Sequence, residues 1–221
     1  RDRDIGADGL LLIDLDVDSY DFKMDYYNND GSWETMCANG ALCVIQVLQN
    51  KDYQFHHHQF LAGDGEHQLN IKDGMISISM KSPLFKTEDV QVAGCIGAHV
   101  DSGAKHFVTI SAINKIDELY EIAQSIRYDD DFSPTGLNVN FLKINSPNSI
   151  NVITYEKGIE KIMRSCGSGS VAAAFYAFKH SDIASPLTIT NPGGKMKLIF
   201  NSDWSEVWLS SNPTIEFEIK S

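Results

Sequence analysis

The 221-residue chain is long enough for one large domain or two small ones, and its 43% hydrophobic content is ordinary for a packed globular protein. A formal net charge of -12 excludes the clustered Lys and Arg that nucleic-acid phosphates require. No run of about 18 apolar residues exists to form a membrane span, and the opening Arg1-Asp2-Arg3-Asp4 carries no secretory-signal pattern.

Cys37, Cys43, Cys95 and Cys166 are irregularly spaced, unlike a secreted disulfide framework, so a reducing, cytoplasmic setting is expected. Zinc is not expected. There is no Cys-x-x-Cys pair, and His56-His57-His58 sit in a polar stretch without a matching ligand set.

In chain order, Ile5-Gly6-Ala7-Asp8-Gly9 reads as a turn into a strand at Leu10–Leu15, and Tyr20–Tyr27 alternates like a second strand. Asn28-Asn29-Asp30-Gly31 is a strong turn signal. Ala38–Gln49 has the apolar spacing of a helix. Ile76, Ile78 and Met80 alternate with Ser77, Ser79 and Lys81 after the Asp73-Gly74 turn, and Phe107–Ile110 is a further strand.

The second half repeats the plan. An amphipathic helix is expected at Ile116–Ile126 and strands at Val139–Ile144 and Ile150–Tyr155. A second apolar helix spans Ser170–Lys179, with strands at Leu187–Thr190, Met196–Phe200, Glu206–Ser210 and Ile215–Ile219. These elements read as two pseudo-symmetric α+β lobes with a site between them and a boundary near Gly97–Asp101.

Residues 37–43, Cys-Ala-Asn-Gly-Ala-Leu-Cys, and residues 166–172, Cys-Gly-Ser-Gly-Ser-Val-Ala, are near copies. Each sets a cysteine, a small residue, a polar residue and a glycine before an apolar helix. A helix N-terminus favours thiolate over thiol, through its unpaired N–H groups and its dipole. Removing a weakly acidic α-proton needs a base on one face, stabilisation of the carbanion, and an acid on the other face. Two such cysteines supply the base and the acid. The backbone N–H groups at Ala38-Asn39 and Gly167-Ser168 suit a substrate carboxylate, and Gly40, Gly167 and Gly169 allow close backbone approach. Either motif alone is equally well read as a buried helical cysteine. The matched pair is what points to chemistry.

These blocks resemble the diaminopimelate epimerase family, cofactor-independent two-cysteine enzymes in the wider group of proline racemases and phenazine-type isomerases. The likeness covers nearly the whole chain. It runs through Ile5–Gly9, Asn28–Ser32, Met36–Ala41, Gly103-Ala104-Lys105-His106, Gly136–Phe141, Tyr155–Gly158, Ser165–Gly169 and Pro192-Gly193-Gly194. The resemblance implies a mixed, mostly antiparallel sheet or barrel around a central helix in each lobe, with the active site in the cleft between lobes. The lobes would be residues 1–99 and 100–211, with a strand at 212–221 returning to the first.

It implies Cys37 and Cys166 as the acid/base thiols, with His106 and Glu156 orienting and tuning them. Asn28 and Asn138 would contact the far end of the substrate, although Asn28 also fits plain turn chemistry and His106 a structural histidine. It implies an amino-acid substrate, no cofactor, no metal, and a homodimer. Some positions depart from the family pattern: Ala38 for glycine, Leu42 for arginine, Ala104 for asparagine, and Lys157 for the arginine that grips the distal carboxylate. Lysine keeps the charge but loses the bidentate fork. The loop from Glu156 to Cys166 is one residue longer. The usual first strand and glycine–asparagine–aspartate segment are absent, so an incomplete chain is expected. The reading is epimerisation of LL- to meso-diaminopimelate. Alternatives are racemisation of another amino acid, histidine for instance, and an amino-acid-binding relative without catalysis.

Overall fold

The computed structural model describes residues 7–111 and 116–215, as an α+β fold in two compact units. One unit runs to Ser79 and takes in the chain again from Ser210; the other is Met80–Leu209.

The first unit carries β1 (Gly9–Asp14), β2 (Phe22–Asn28), β3 (Trp33–Glu34), α1 (Ala38–Asn50), β4 (Gln59–Ala62), β5 (Gly65–Lys72) and β6 (Met75–Ser79). Its strands lie in the order β1-β2-β4-β5-β6, with β3 added to the end of β2. All pairs are antiparallel except β2 with β4, and α1 is the crossover that a parallel pair needs. Ala41, Leu42, Ile45 and Leu48 recur at helical spacing and are buried, and α1 packs on β6. Phe22 and Phe60 face each other in the β2–β4 register and stack at 4.9 Å.

A buried carboxylate ties this unit to its histidine tract. Asp21 accepts backbone N–H bonds from His56 (2.6 Å) and His57 (3.1 Å) on one oxygen and from Gln59 (3.2 Å) on the other. It thereby fixes the approach to β4. Asp21→Ala would strand these donors in a water-poor position and is expected to cost about 3 kcal/mol. Urea unfolding of the two proteins measures this, and a loss below about 1 kcal/mol would refute the anchor.

The second unit carries β7 (Leu84–Phe85), β8 (Val90–Val92), β9 (Cys95–Asp101), β10 (Lys105–Ile110), α2 (Ile116–Arg127), β11 (Asn138–Ser146), β12 (Ser149–Glu156) and β13 (Lys161–Ile162). It continues through α3 (Gly167–His180), β14 (Leu187–Asn191), β15 (Gly194–Phe200) and β16 (Val207–Ser211), the last crossing back at Ser210. The order is β16-β15-β14-β12-β11-β10-β9-β7, with β8 on β9 and β13 on β12. The parallel pairs are β10 with β11, joined through α2, and β12 with β14, joined through α3.

The two units share a connectivity. In each, a strand (β1 or β11) is followed by its antiparallel neighbour (β2 or β12) and a short return strand (β3 or β13). A cysteine-capped helix then crosses to a parallel strand (β4 or β14) and an antiparallel one (β5 or β15). Among the described residues, strands β7–β10 and helix α2 have no counterpart in the first unit.

The faces of the second sheet differ chemically. Phe107, Val139, Phe141, Ile153 and Tyr155 pack on one side with Leu119, Ala123 and Ile126 of α2. Helix α3 packs against β9–β12, where His106, Asn140 and Thr154 are buried near its first turn.

The helices expected at 38–49, 116–126 and 170–179 are present, the third starting earlier at its cysteine cap. Strands β4, β5 and β9, and the short β3, β7, β8 and β13, lie outside the expected set. Residues 97–101, the expected boundary, belong to β9 and pair with β10. Gly97 serves that pairing: a Cβ there would sit 2.2 Å from the Val108 carbonyl oxygen. Residues 212–215 are irregular, and the rest of the strand expected at 212–221 lies outside the described residues, as do Ile5 and Gly6 of the first turn.

Candidate active site

Both cysteines stand at helix N-caps in extended backbone, Cys37 at φ -127 and ψ 107, Cys166 at φ -141 and ψ 115. The Gly40 N–H donates to Cys37 Sγ at 3.3 Å, and the Gly169 N–H to Cys166 Sγ at 3.4 Å. The Cys37 and Cys166 carbonyls accept from Ala41 and Ser170, at 2.9 and 3.0 Å. Each sulfur thus replaces the oxygen that Ser or Asp ordinarily supplies at this position. The donor and the helix dipole both favour negative charge on it. Neither helix carries an acidic residue in its first turn. Ala38, Asn39 and Gly40 form that turn in α1, and Gly167, Ser168 and Gly169 form it in α3.

In the second unit, further expected residues converge on the cap. The His106 ring is fully buried, its Nε2 3.0 Å from the Ser168 hydroxyl, which lies 3.6 Å from Cys166 Sγ. On the other side of the ring, Asn140 Nδ2 lies 2.9 Å from Nδ1. Burial pushes the His106 pKa down to about 3, so the ring is neutral at physiological pH. The histidine expected to tune the thiols is thus a neutral ring hydrogen-bonded at both nitrogens.

Asn138 lies beside His106 in the β10–β11 register, and its side-chain oxygen accepts the Lys157 N–H at 2.8 Å. Lys157 is thus fixed by its backbone while its side chain is exposed. The loop beyond it is braced by Glu160, which accepts from the Gly158 N–H and pairs with Arg127 at 3.1 Å. Glu156 ends β12 opposite Lys161. In the first unit, Asn28 ends β2 and donates to the Ser32 hydroxyl at 3.1 Å, within its own turn.

Three residues beyond the expected set belong to this arrangement. Asn140 holds His106. The Thr154 hydroxyl donates to Asn140 Oδ1 at 2.8 Å. Buried Ser102 donates to the Ser168 carbonyl at 2.8 Å and ties the turn before His106 to α3. Asn138-x-Asn140 and Thr154-x-Glu156 are the sequence trace, polar residues at strand period on neighbouring strands.

No protein-family model matches the chain. The diaminopimelate epimerase of Flavobacterium psychrophilum is 34% identical to it over 97% of this chain and 83% of that protein. The diaminopimelate epimerase of Chlorobaculum tepidum is 32% identical, covering 95% and 83%.

The chain belongs to the diaminopimelate epimerase family.

It is accordingly an isomerase of the epimerase and racemase class. The same fold occurs in solved proteins of low sequence identity. A hydroxyproline epimerase from Agrobacterium vitis, solved with trans-4-hydroxy-L-proline bound, superposes with a TM-score of 0.66 at 15% identity, covering 91% of this chain and 70% of that one. Among the described residues, no group of three or more metal-ligating side chains is found, and no helix is long and apolar enough to cross a membrane.

Proposed function

We propose that the chain epimerises the α-carbon of diaminopimelate, LL to meso, with Cys37 and Cys166 as the two acid/base groups and no cofactor. The observation that carries this reading is the pair of matching cysteine caps, each with its sulfur accepting the N–H of the glycine three residues on. One sulfur, as thiolate, takes the α-proton. The other, as thiol, delivers a proton to the opposite face, and each turnover exchanges their protonation states. First-turn N–H groups of both helices, at Ala38-Asn39 and Gly167-Ser168, hold the α-carboxylate and the charge that builds on it. Asn28 and Asn138 contact the distal amino-acid end. Lys157 meets the distal carboxylate, and its exposed side chain suits that role. Glu156 supports the thiols from the end of β12. The reaction belongs to lysine and peptidoglycan biosynthesis.

Proton NMR under reductant, with diaminopimelate in deuterated water, tests the reading. The α-proton signal is expected to disappear with the unsubstituted protein and to persist with Cys37→Ala. Equal exchange in the variant would refute the thiol mechanism. Exchange confined to another amino acid, histidine included, would reassign the substrate.

A further inference from the structure

The four buried or half-buried groups behind Cys166 have only one consistent arrangement of protons. The Phe107 carbonyl oxygen can only accept, and it lies 3.5 Å from Asn140 Nδ2, so the amide nitrogen belongs on that side. Thr154 meets the amide oxygen on the other. An amide nitrogen can only donate, so His106 Nδ1, 2.9 Å from it, must be the nitrogen with the lone pair. A neutral imidazole then carries its proton on Nε2 and donates it to the Ser168 oxygen at 3.0 Å. With that oxygen occupied as an acceptor, the Ser168 proton is left for Cys166 Sγ at 3.6 Å.

We propose that Thr154, Asn140, His106 and Ser168 form a one-way chain of donors ending on Cys166, which favours the thiolate form of this sulfur. Each bond polarises the next in the same sense. Thr154, Asn140 and His106 act only through Ser168 and are positioning residues. Two residues after its capping cysteine, α3 carries Ser168 where α1 carries Asn39. Ser168 itself is steadied from behind by the Ser102 hydroxyl on its carbonyl. The consequence for turnover rests on the two-thiol reading; the donor chain itself does not.

Two substrate-free measurements on the full chain decide it. Nitrogen-15 NMR of labelled histidines is expected to show the His106 proton on Nε2 and a lone pair on Nδ1. A proton on Nδ1, in either the neutral or the charged ring, overturns the chain. Alkylation by iodoacetamide at pH 7, with both cysteines followed by mass spectrometry in the same molecule, reads the thiolate directly. Ser168→Ala is expected to slow Cys166 roughly fivefold relative to Cys37, the effect of losing one hydrogen bond. Ser168→Thr restores the ratio, and Thr154→Val lowers it by less. Removing the hydroxyl also opens space beside the sulfur, so a merely steric role predicts faster alkylation, and an unchanged or raised ratio overturns the proposal. If Ser168→Ala does not fold, the histidine spectrum of the unsubstituted protein still decides. In the exchange assay, Ser168→Ala keeps its backbone N–H and is expected to lower kcat with little change in KM. No α-proton exchange in the unsubstituted protein would refute the epimerase reading while leaving the spectroscopic and alkylation results to stand or fall alone.

Discussion

Replacing Gly169 with alanine is expected to lower α-proton exchange about 100-fold or more and to destabilise the fold, although alanine is the better helix former. A Cβ at this position would lie 2.4 Å from Asn140 Oδ1, 3.0 Å from Thr154 Oγ1 and 3.2 Å from Cys166 Sγ. The first two atoms are bonded to each other and buried on the sheet, so neither can retreat without breaking the donor chain. The first turn of α3 must move instead, carrying Cys166 with it. A misplacement of about 1 Å at a reacting group costs on the order of 100-fold. Overpacking of this kind costs about 1–3 kcal/mol, more than the roughly 1 kcal/mol that alanine gains over glycine in a helix. The matching glycine of the other cap behaves differently. A Cβ at Gly40 would meet the methyl ends of Leu11 at 3.0 and 3.2 Å, which can swing aside, and Cys37 Cβ at 3.3 Å, with no contact as tight as the 2.4 Å to Asn140 at Gly169. Gly40→Ala is therefore the internal control: exchange rates and thermal melts should separate the two variants sharply. Similar behaviour of both would remove the close approach as an explanation.

The second large effect concerns acid stability. In the unfolded chain the His106 imidazole binds a proton near its ordinary pKa of 6.5, and in the folded chain only near 3. Between these values the unfolded state holds the extra proton, so stability rises with pH and drains away as the solution is acidified. The slope from this one group reaches about 1.4 kcal/mol per pH unit, and the whole window amounts to about 5 kcal/mol. Urea unfolding between pH 7 and pH 4 should therefore fall more steeply for the unsubstituted protein than for His106→Gln, the two curves converging at the acid end. Parallel curves would mean that the ring takes up its proton inside the folded protein.

Much of this site is legible in the sequence because its chemistry is local. A sulfur at an N-cap must be followed within one turn by a glycine N–H and an apolar helix, and residues 37–48 and 166–177 state that pattern in contiguous letters. Asn140 and Thr154 escape it because a polar residue at alternate strand positions ordinarily signals a solvent face. Only the placement of α3 turns that face inward. Strands β4 and β5 were masked by His56-His57-His58, whose loop character is real; what orders it is Asp21, some 35 residues away. Gly97 has the look of a linker glycine, and its actual reason is a carbonyl on the neighbouring strand.

Strand β11 interleaves two kinds of constraint within five residues. Val139 and Phe141 belong to the α2 core, whereas Asn138 and Asn140 bond to Lys157 and His106. Change at one parity is felt as lost packing, change at the other as altered chemistry. The strand thus binds the α2 core and the His106 network into one piece: Asn140, itself buried, holds His106, and the next residue, Phe141, lies in that core.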